Sequence, residues 1–96
     1  MSFSQAAAPI TVVETSAFLR SADLVMDDLE REALVDYLAH NPTAGDLFPG
    51  AGGLRKLRWG IEGRGKRGGA RVVYYFHDLT IPLFAIAAYA KIRKQI

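Results

Sequence analysis

The chain has 96 residues, of which half are apolar and about a quarter are charged, and its formal net charge is +2. This length and composition are typical of one folded domain and argue against a disordered chain. Because the chain contains no cysteine, disulfide scaffolds, cysteine-based zinc sites and thiol nucleophiles are excluded.

The charges are divided unevenly along the chain. Residues 1–52 carry two basic residues and eight acids, a balance of −6, whereas residues 53–96 carry ten basic residues and two acids, a balance of +8. Asymmetry of this size points to a polyanionic partner. The alternative is that the basic residues only form a solvated surface.

The N-terminal residues 1–9, MSFSQAAAP, are rich in Ser and Ala and predict a flexible leader before a single domain at residues 10–96. This leader lacks the basic start and apolar core of a secretory signal. The longest apolar run, IPLFAIAAYA, has about half the length that spans a bilayer. We therefore expect a cytoplasmic protein without membrane association.

The first predicted elements are a short strand and a brief helix. ITVVE at residues 10–14 favours a strand because β-branched residues dominate it. Thr15 or Ser16 can cap the helix that follows, which holds Phe18 and Leu19.

A second, longer helix is predicted to begin at Asp27 or Asp28 and to end at the His40-Asn41-Pro42 stop. Acidic residues in its first turn complement the helix dipole. Its apolar residues at helical spacing are Leu29, Ala33, Leu34, Tyr37 and Leu38.

PTAGDLFPGAGG, residues 42–53, predicts an irregular connection because it contains two prolines and four glycines. Three strands are expected after it, at about 54–60, 70–77 and 81–90. The order β-α-α-β-β-β indicates an α+β fold with a mainly antiparallel sheet and both helices on one face.

The strand alternation brings basic residues to one side of the sheet. Lys56 and Arg58 share a side of their strand, and Arg71 can join them from the next strand, although the sequence does not fix the register. Tyr89 and Lys91 share a side of the last strand, but alternation alone does not relate that side to the other cations.

Clustered cations cost Coulomb energy unless an anion binds, so this pattern favours a phosphate site. Exposed tyrosines can stack unpaired bases at roughly 1–3 kcal/mol each. Glycines beside Arg64, Lys66 and Arg67 allow that loop to approach a phosphate backbone. Single-stranded RNA fits better than duplex DNA because no recognition helix is evident.

Such a site could also cleave RNA, because the ribose 2′-OH is a nucleophile within the substrate. The protein must hold the reacting atoms in line, and arginine can stabilise the phosphorane by about 3–4 kcal/mol per well-placed donor. A lysine crowded by other cations can accept the proton. We expect no metal and no cofactor, since the acids lie mostly on the predicted helix.

Other candidate groups have ordinary structural interpretations. His40 suits a helix C-terminus, and His77 suits a turn at a strand end. Trp59 and Tyr74 are expected to pack against the sheet. A two-histidine ribonuclease and base stacking on these aromatic residues are the less favoured alternatives.

The stretch NPTAGDLFPGAGGLRKLRWGIEGRGKRGGARVVYYFHD, residues 41–78, and the later IAAYAK resemble the RelE/HigB-like toxins of bacterial type II toxin–antitoxin systems. The HigB-like branch has the pattern NP.AGD..PG.GGLRK.R....GKGKRGG.R..YYF. The resemblance covers roughly half of the chain. It implies a β-α-α-β-β-β fold, metal-independent cleavage of mRNA in the ribosomal A site, and a cognate antitoxin. Such an antitoxin usually contains a helix-turn-helix and contacts operator DNA itself.

The resemblance also implies roles for individual residues. Lys56 matches a proton acceptor, Arg58 a phosphate contact and Arg71 the arginine that stabilises the phosphorane. Lys91 matches the basic residue that closes the last strand, and Tyr89 is a further site residue. Contacts with RNA or the ribosome are expected from Arg55, Arg64, Lys66, Arg67, Arg93 and Lys94.

The sequence departs from the family pattern after IAAYAK. Family members continue into a C-terminal helix, whereas this sequence has Ile92 and ends at Ile96. We therefore expect lower stability of the isolated chain and stronger dependence on a partner. The alternative functions are an inactive or truncated relative that binds RNA or antitoxin without catalysis, and a basic surface that binds an acidic protein.

Overall fold

The computed structural model describes residues 8–60 and 69–90. None of the helices in these two ranges is long and apolar enough to cross a bilayer. The elements in chain order are β1 (Val12–Glu14), α1 (Ser16–Asp23), α2 (Asp28–His40), β2 (Asp46–Leu47), β3 (Leu54–Trp59), β4 (Ala70–Tyr75) and β5 (Leu83–Ala90).

The five strands form one mixed sheet in the order β1-β5-β4-β3-β2. The pairs β3·β4 and β4·β5 are antiparallel, as expected. The unpredicted strand β2 is antiparallel to β3, and β1 runs parallel to β5. The α+β class is confirmed, whereas the element order differs because β2 lies inside the predicted irregular connection. The parallel pair is possible because the intervening chain is long enough for a crossover.

Both helices begin at a side-chain cap. The amide of Phe18 donates to Thr15 Oγ1 at 3.1 Å, which identifies Thr15 as the cap of α1. Asp27 caps α2 through a reciprocal box: Glu30 N–H donates to Asp27 Oδ1, and Asp27 N–H donates to Glu30 Oε1, both at 2.8 Å. The sequence alone allows either of two neighbouring residues as the cap of each helix.

The apolar stripe of α2 is narrower than predicted. Leu34 and Leu38 are fully buried, but Leu29 is 77% exposed. Leu29 therefore does not belong to the core. Tyr37 is partly exposed and contacts Trp59, with ring centroids 5.4 Å apart.

The core lies between the two helices and one face of the sheet, here called the covered face. Small residues in β5, such as Ala85 and Ala88, allow α1 to approach the strand closely. The buried core residues are Phe18, Ala22, Met26, Leu34, Leu38, Leu57, Ala70, Val72, Tyr74, Phe76, Leu83, Ala85 and Ala88. The opposite side, here called the open face, is where the candidate site lies.

Candidate functional site

The register of β3, β4 and β5 brings the three predicted cations onto the open face. Arg58 lies directly opposite Arg71, and Arg71 lies directly opposite Tyr89. Lys56 is opposite Val73, one row further along the same face. Lys56, Arg58 and Arg71 are called the cationic cluster below. Lys56 and Arg58 are exposed, and Arg71 is half-buried.

A β-bulge decides the side on which Tyr89 lies. The pairing of β4 with β5 shifts between Val73 and Tyr74, which leaves Ile86 without an opposite residue. In a regular strand, Tyr89 would share the covered side with Ala85, because side chains alternate. The extra residue inverts the alternation, so Tyr89 points to the open face beside Arg71 and is 45% exposed.

Within the described ranges, no carboxylate lies within ion-pair distance of the cationic cluster. The ion pairs found there involve only Arg31, His40 and His77 on the basic side. Like charges directly opposite each other in a sheet are destabilising. The Arg58–Arg71 pair therefore opposes folding slightly, and an anionic ligand would remove that cost.

A surface cavity of about 330 Å³ adjoins the two arginines. Its lining comprises Arg58, Trp59, Gly60, Gly69 and Arg71. Gly69 is required there, because a Cβ at this position would lie 2.7 Å from the carbonyl oxygen of Trp59. The backbone of β3 and β4 can thus approach closely at the edge of the cavity.

Arg55 does not face the cationic cluster. It pairs with Tyr74 on the covered face, and its Nη1 donates to the carbonyls of Thr43 at 3.2 Å and Gly45 at 2.9 Å. Its Nε is buried and has no hydrogen-bond partner among the residues that the structure describes. This geometry makes Arg55 a tether for residues 43–45, away from the predicted RNA contacts.

The remaining predicted site residues lie outside the described residues. They are Arg64, Lys66, Arg67, Lys91, Arg93 and Lys94.

Tyr74 is a core residue, as predicted, and it also anchors the segment before β2. Its hydroxyl donates to the carbonyl of Pro42 and accepts from the amide of Gly45, both at 2.8 Å. Burial raises the pKa of Tyr74, and the Gly45 hydrogen bond partly offsets this effect. A Cβ at Gly45 would lie 2.9 Å from the Tyr74 ring, so this contact requires glycine.

Two residues that lie beside Lys56 were not predicted from the sequence to belong to the site. Asp46 lies directly opposite Lys56 in the β2–β3 pair. The Lys56 Nζ atom is 5.8 Å from the centroid of the Phe48 ring. Both residues belong to the connection that was predicted to be irregular, and a two-residue strand is too short to show an alternating pattern.

The histidines have structural positions, as predicted. His40 ends α2, with its Nδ1 2.9 Å from the carbonyl oxygen of Asp36. His77 lies in the β4–β5 turn, with its Nδ1 2.9 Å from Asp78 Oδ2. Hydrogen bonds from Thr80, followed by the contact with His77, lower the pKa of Asp78. No cluster of three or more His, Asp or Glu residues suited to a metal occurs in residues 8–60 and 69–90.

No protein-family model matches the chain. The relationship to the RelE/HigB-like toxins therefore stays a prediction from the motif at residues 41–78. The arrangement of charge on the open face is the structural observation that bears most directly on function.

Proposed function

We propose that the protein is the toxin of a type II toxin–antitoxin system, a metal-independent endoribonuclease that cleaves mRNA on the translating ribosome in the cytoplasm. One observation carries the proposal. The cationic cluster lies on one open sheet face beside the exposed ring of Tyr89, and none of its members forms an ion pair with a carboxylate among the described residues. The RelE/HigB-like motif supports the same function from the sequence.

The reaction needs no group beyond the substrate, the protein and solvent water. The ribose 2′ oxygen attacks phosphorus, the P–O2′ bond forms and the P–O5′ bond breaks. The products are a 2′,3′-cyclic phosphate and a 5′ hydroxyl. Lys56 accepts the proton from the 2′-OH, and the leaving 5′ oxygen takes a proton from solvent water.

Arg58 and Arg71 act on the phosphate. Their opposite positions in β3 and β4 place two guanidinium groups beside the same cavity. Guanidinium groups bind phosphate oxygens in a bidentate manner and keep their charge throughout the reaction. The charge that develops on the phosphorane is therefore stabilised by groups already held in position, as in other oxyanion sites.

The open face also favours single-stranded RNA over other polyanions. An exposed tyrosine next to the phosphate-binding arginines offers a stacking surface for an unpaired base. Cleavage requires the 2′-OH, which DNA lacks. The partners in this proposal are the ribosome with its mRNA and an antitoxin of the helix-turn-helix type, which alone contacts operator DNA.

The test is the mapping of mRNA ends in a translating extract. Wild-type protein is expected to cleave a reporter mRNA, and Arg71→Ala is expected to lower the rate about 10²–10³-fold, the usual cost of one oxyanion donor. Arg20→Ala is the matched control, because Arg20 is exposed on α1. It should cleave like the wild type.

Two results would contradict the proposal. The first is the absence of cleavage by the wild-type protein during translation, and binding of RNA without cleavage would favour the non-catalytic alternative. The second is equal cleavage by wild type and Arg71→Ala, which would place the chemistry elsewhere.

A further inference from the structure

The open face contains one carboxylate among the strand residues that the structure describes. Asp46 lies directly opposite Lys56, so the two side chains project from the same side of the β2–β3 pair. The other strand acid, Glu14, lies opposite Ala85 on the covered side and pairs with Arg31 at 2.5 Å. Among the described strand residues, Asp46 is therefore the one acid on the same face as the cationic cluster.

Four hydrogen bonds fix the position of the segment before Asp46. The segment before it is held by the Tyr74 hydroxyl at Pro42 and Gly45 and by Arg55 at Thr43 and Gly45. Because Gly45 has no space for a side chain, this segment can lie against Tyr74 in few ways. The placement of Asp46 opposite Lys56 is thus built into the fold.

Lys56 has different neighbours on its other sides. Phe48 presents its ring to the ammonium group at 5.8 Å, within cation–π range. Along the open face, Arg58 follows Lys56 in β3, Val73 is opposite it in β4, and Arg71 and Tyr75 are diagonal to it. Asp46 is the one negative charge among these groups.

We propose that Asp46 is a positioning residue for Lys56: its carboxylate attracts the ammonium group to the β2 side of the open face, where it lies near the Phe48 ring and beside the two arginines. This inference rests on the proposed function. Lysine has a long, flexible side chain. Holding its ammonium group beside the cavity lowers the entropy cost of bringing it into position for proton transfer. Arg58 and Arg71 remain available for the phosphate.

The Asp46 carboxylate attracts the Lys56 ammonium group, whereas the two arginines repel it. Asp46→Asn removes the negative charge and leaves the side chain nearly isosteric, so this variant separates the electrostatic role from a packing role.

The first measurement follows the mobility of the Lys56 side chain by NMR without RNA. The Lys56 ¹³Cε signal is identified by its loss in Lys56→Arg. In Asp46→Asn, ¹³Cε relaxation should show a loss of order at the end of the Lys56 side chain, because the carboxylate no longer attracts the ammonium group. Asp46→Glu should restore most of the wild-type order. Asp23→Asn, an exposed acid at the end of α1, is the control and should change nothing.

The second measurement is the rate of mRNA cleavage. Asp46→Asn should lower the maximal rate by about tenfold, and Asp46→Glu should recover part of the rate. Unchanged Lys56 order in Asp46→Asn would overturn the positioning role. A loss of Lys56 order in Asp46→Asn, together with a wild-type protein that cleaves no mRNA, would overturn the proposed function and leave the interaction between Asp46 and Lys56 established.

Discussion

The two faces of the sheet differ in whether their polar and charged side chains have partners. On the covered face, the buried side chains of β3, β4 and β5 pack against the helices, and the Tyr74 hydroxyl makes two hydrogen bonds. On the open face, Arg58 and Arg71 lie opposite each other without a carboxylate partner in the described ranges. The covered face stabilises the fold, whereas the open face retains charges that folding does not need. Such charges are the basis of the proposed phosphate site.

The largest expected effect concerns the covered face. Leu34→Ala removes a fully buried side chain of α2 and should lower the free energy of unfolding by about 2–5 kcal/mol. Leu29→Ala on the same helix is the control, because Leu29 is mostly exposed. Its effect should stay within about 0.5 kcal/mol. Urea unfolding followed by circular dichroism measures both, and similar losses would mean that α2 packs through a different side.

The next effect concerns the polar contact inside the covered face. Tyr74→Phe leaves the amide of Gly45 and the carbonyl of Pro42 without their partner and should cost about 1–3 kcal/mol of unfolding free energy. The same urea titration measures it. Tyr75→Phe, half-buried on the open face, should be close to neutral. A neutral Tyr74→Phe would show that solvent replaces the hydroxyl.

Alkaline pH probes the same hydroxyl. The pKa of Tyr74 is raised in the folded protein, so its contribution to stability is fully present below the ordinary tyrosine pKa. That contribution is lost as the pH rises from about 10 through the higher folded-state pKa. We expect the wild-type unfolding free energy to fall more steeply above pH 10 than that of Tyr74→Phe. Parallel pH profiles would contradict this.

The smallest effect compares Arg31 of α2, on the covered side of the sheet, with Arg71 of the open face. Arg31 binds Glu14 in a partly exposed pair, and hydrogen bonding to Glu14 raises the pKa of Arg31. Arg31→Ala should cost at most about 1 kcal/mol. Arg71→Ala should be neutral or stabilising by roughly 0.2–1 kcal/mol, because it removes a like-charge pair. Unfolding at low and high salt measures both, and a destabilising Arg71→Ala would show that the open face supports the fold.

Much of this arrangement could be predicted from local patterns. The cap at Asp27 and the stop after His40 delimit α2, and the alternation of β3 and β4 places Lys56 and Arg58 on one side. These features depend on neighbouring residues in the chain, so they are visible in the sequence.

The rest depends on contacts between distant segments. The parallel pairing of β1 with β5 needs a partner about 70 residues away. The bulge at Ile86 turns Tyr89 to the open face. It cannot be predicted from the sequence, because Ile86 lies within a continuous apolar run. Asp46 becomes significant only when the register puts it opposite Lys56.

The most direct test of the open face as an RNA-binding surface is the salt dependence of binding. The ligand is a short single-stranded RNA made uncleavable by 2′-O-methylation, and the slope of log affinity against log salt is compared among variants. Arg58→Ala and Arg71→Ala should each reduce the slope by about 0.7, the value for one lost phosphate contact with a single strand, whereas Arg20→Ala should leave it unchanged. Equal slopes in all four proteins would contradict a phosphate site at the cationic cluster.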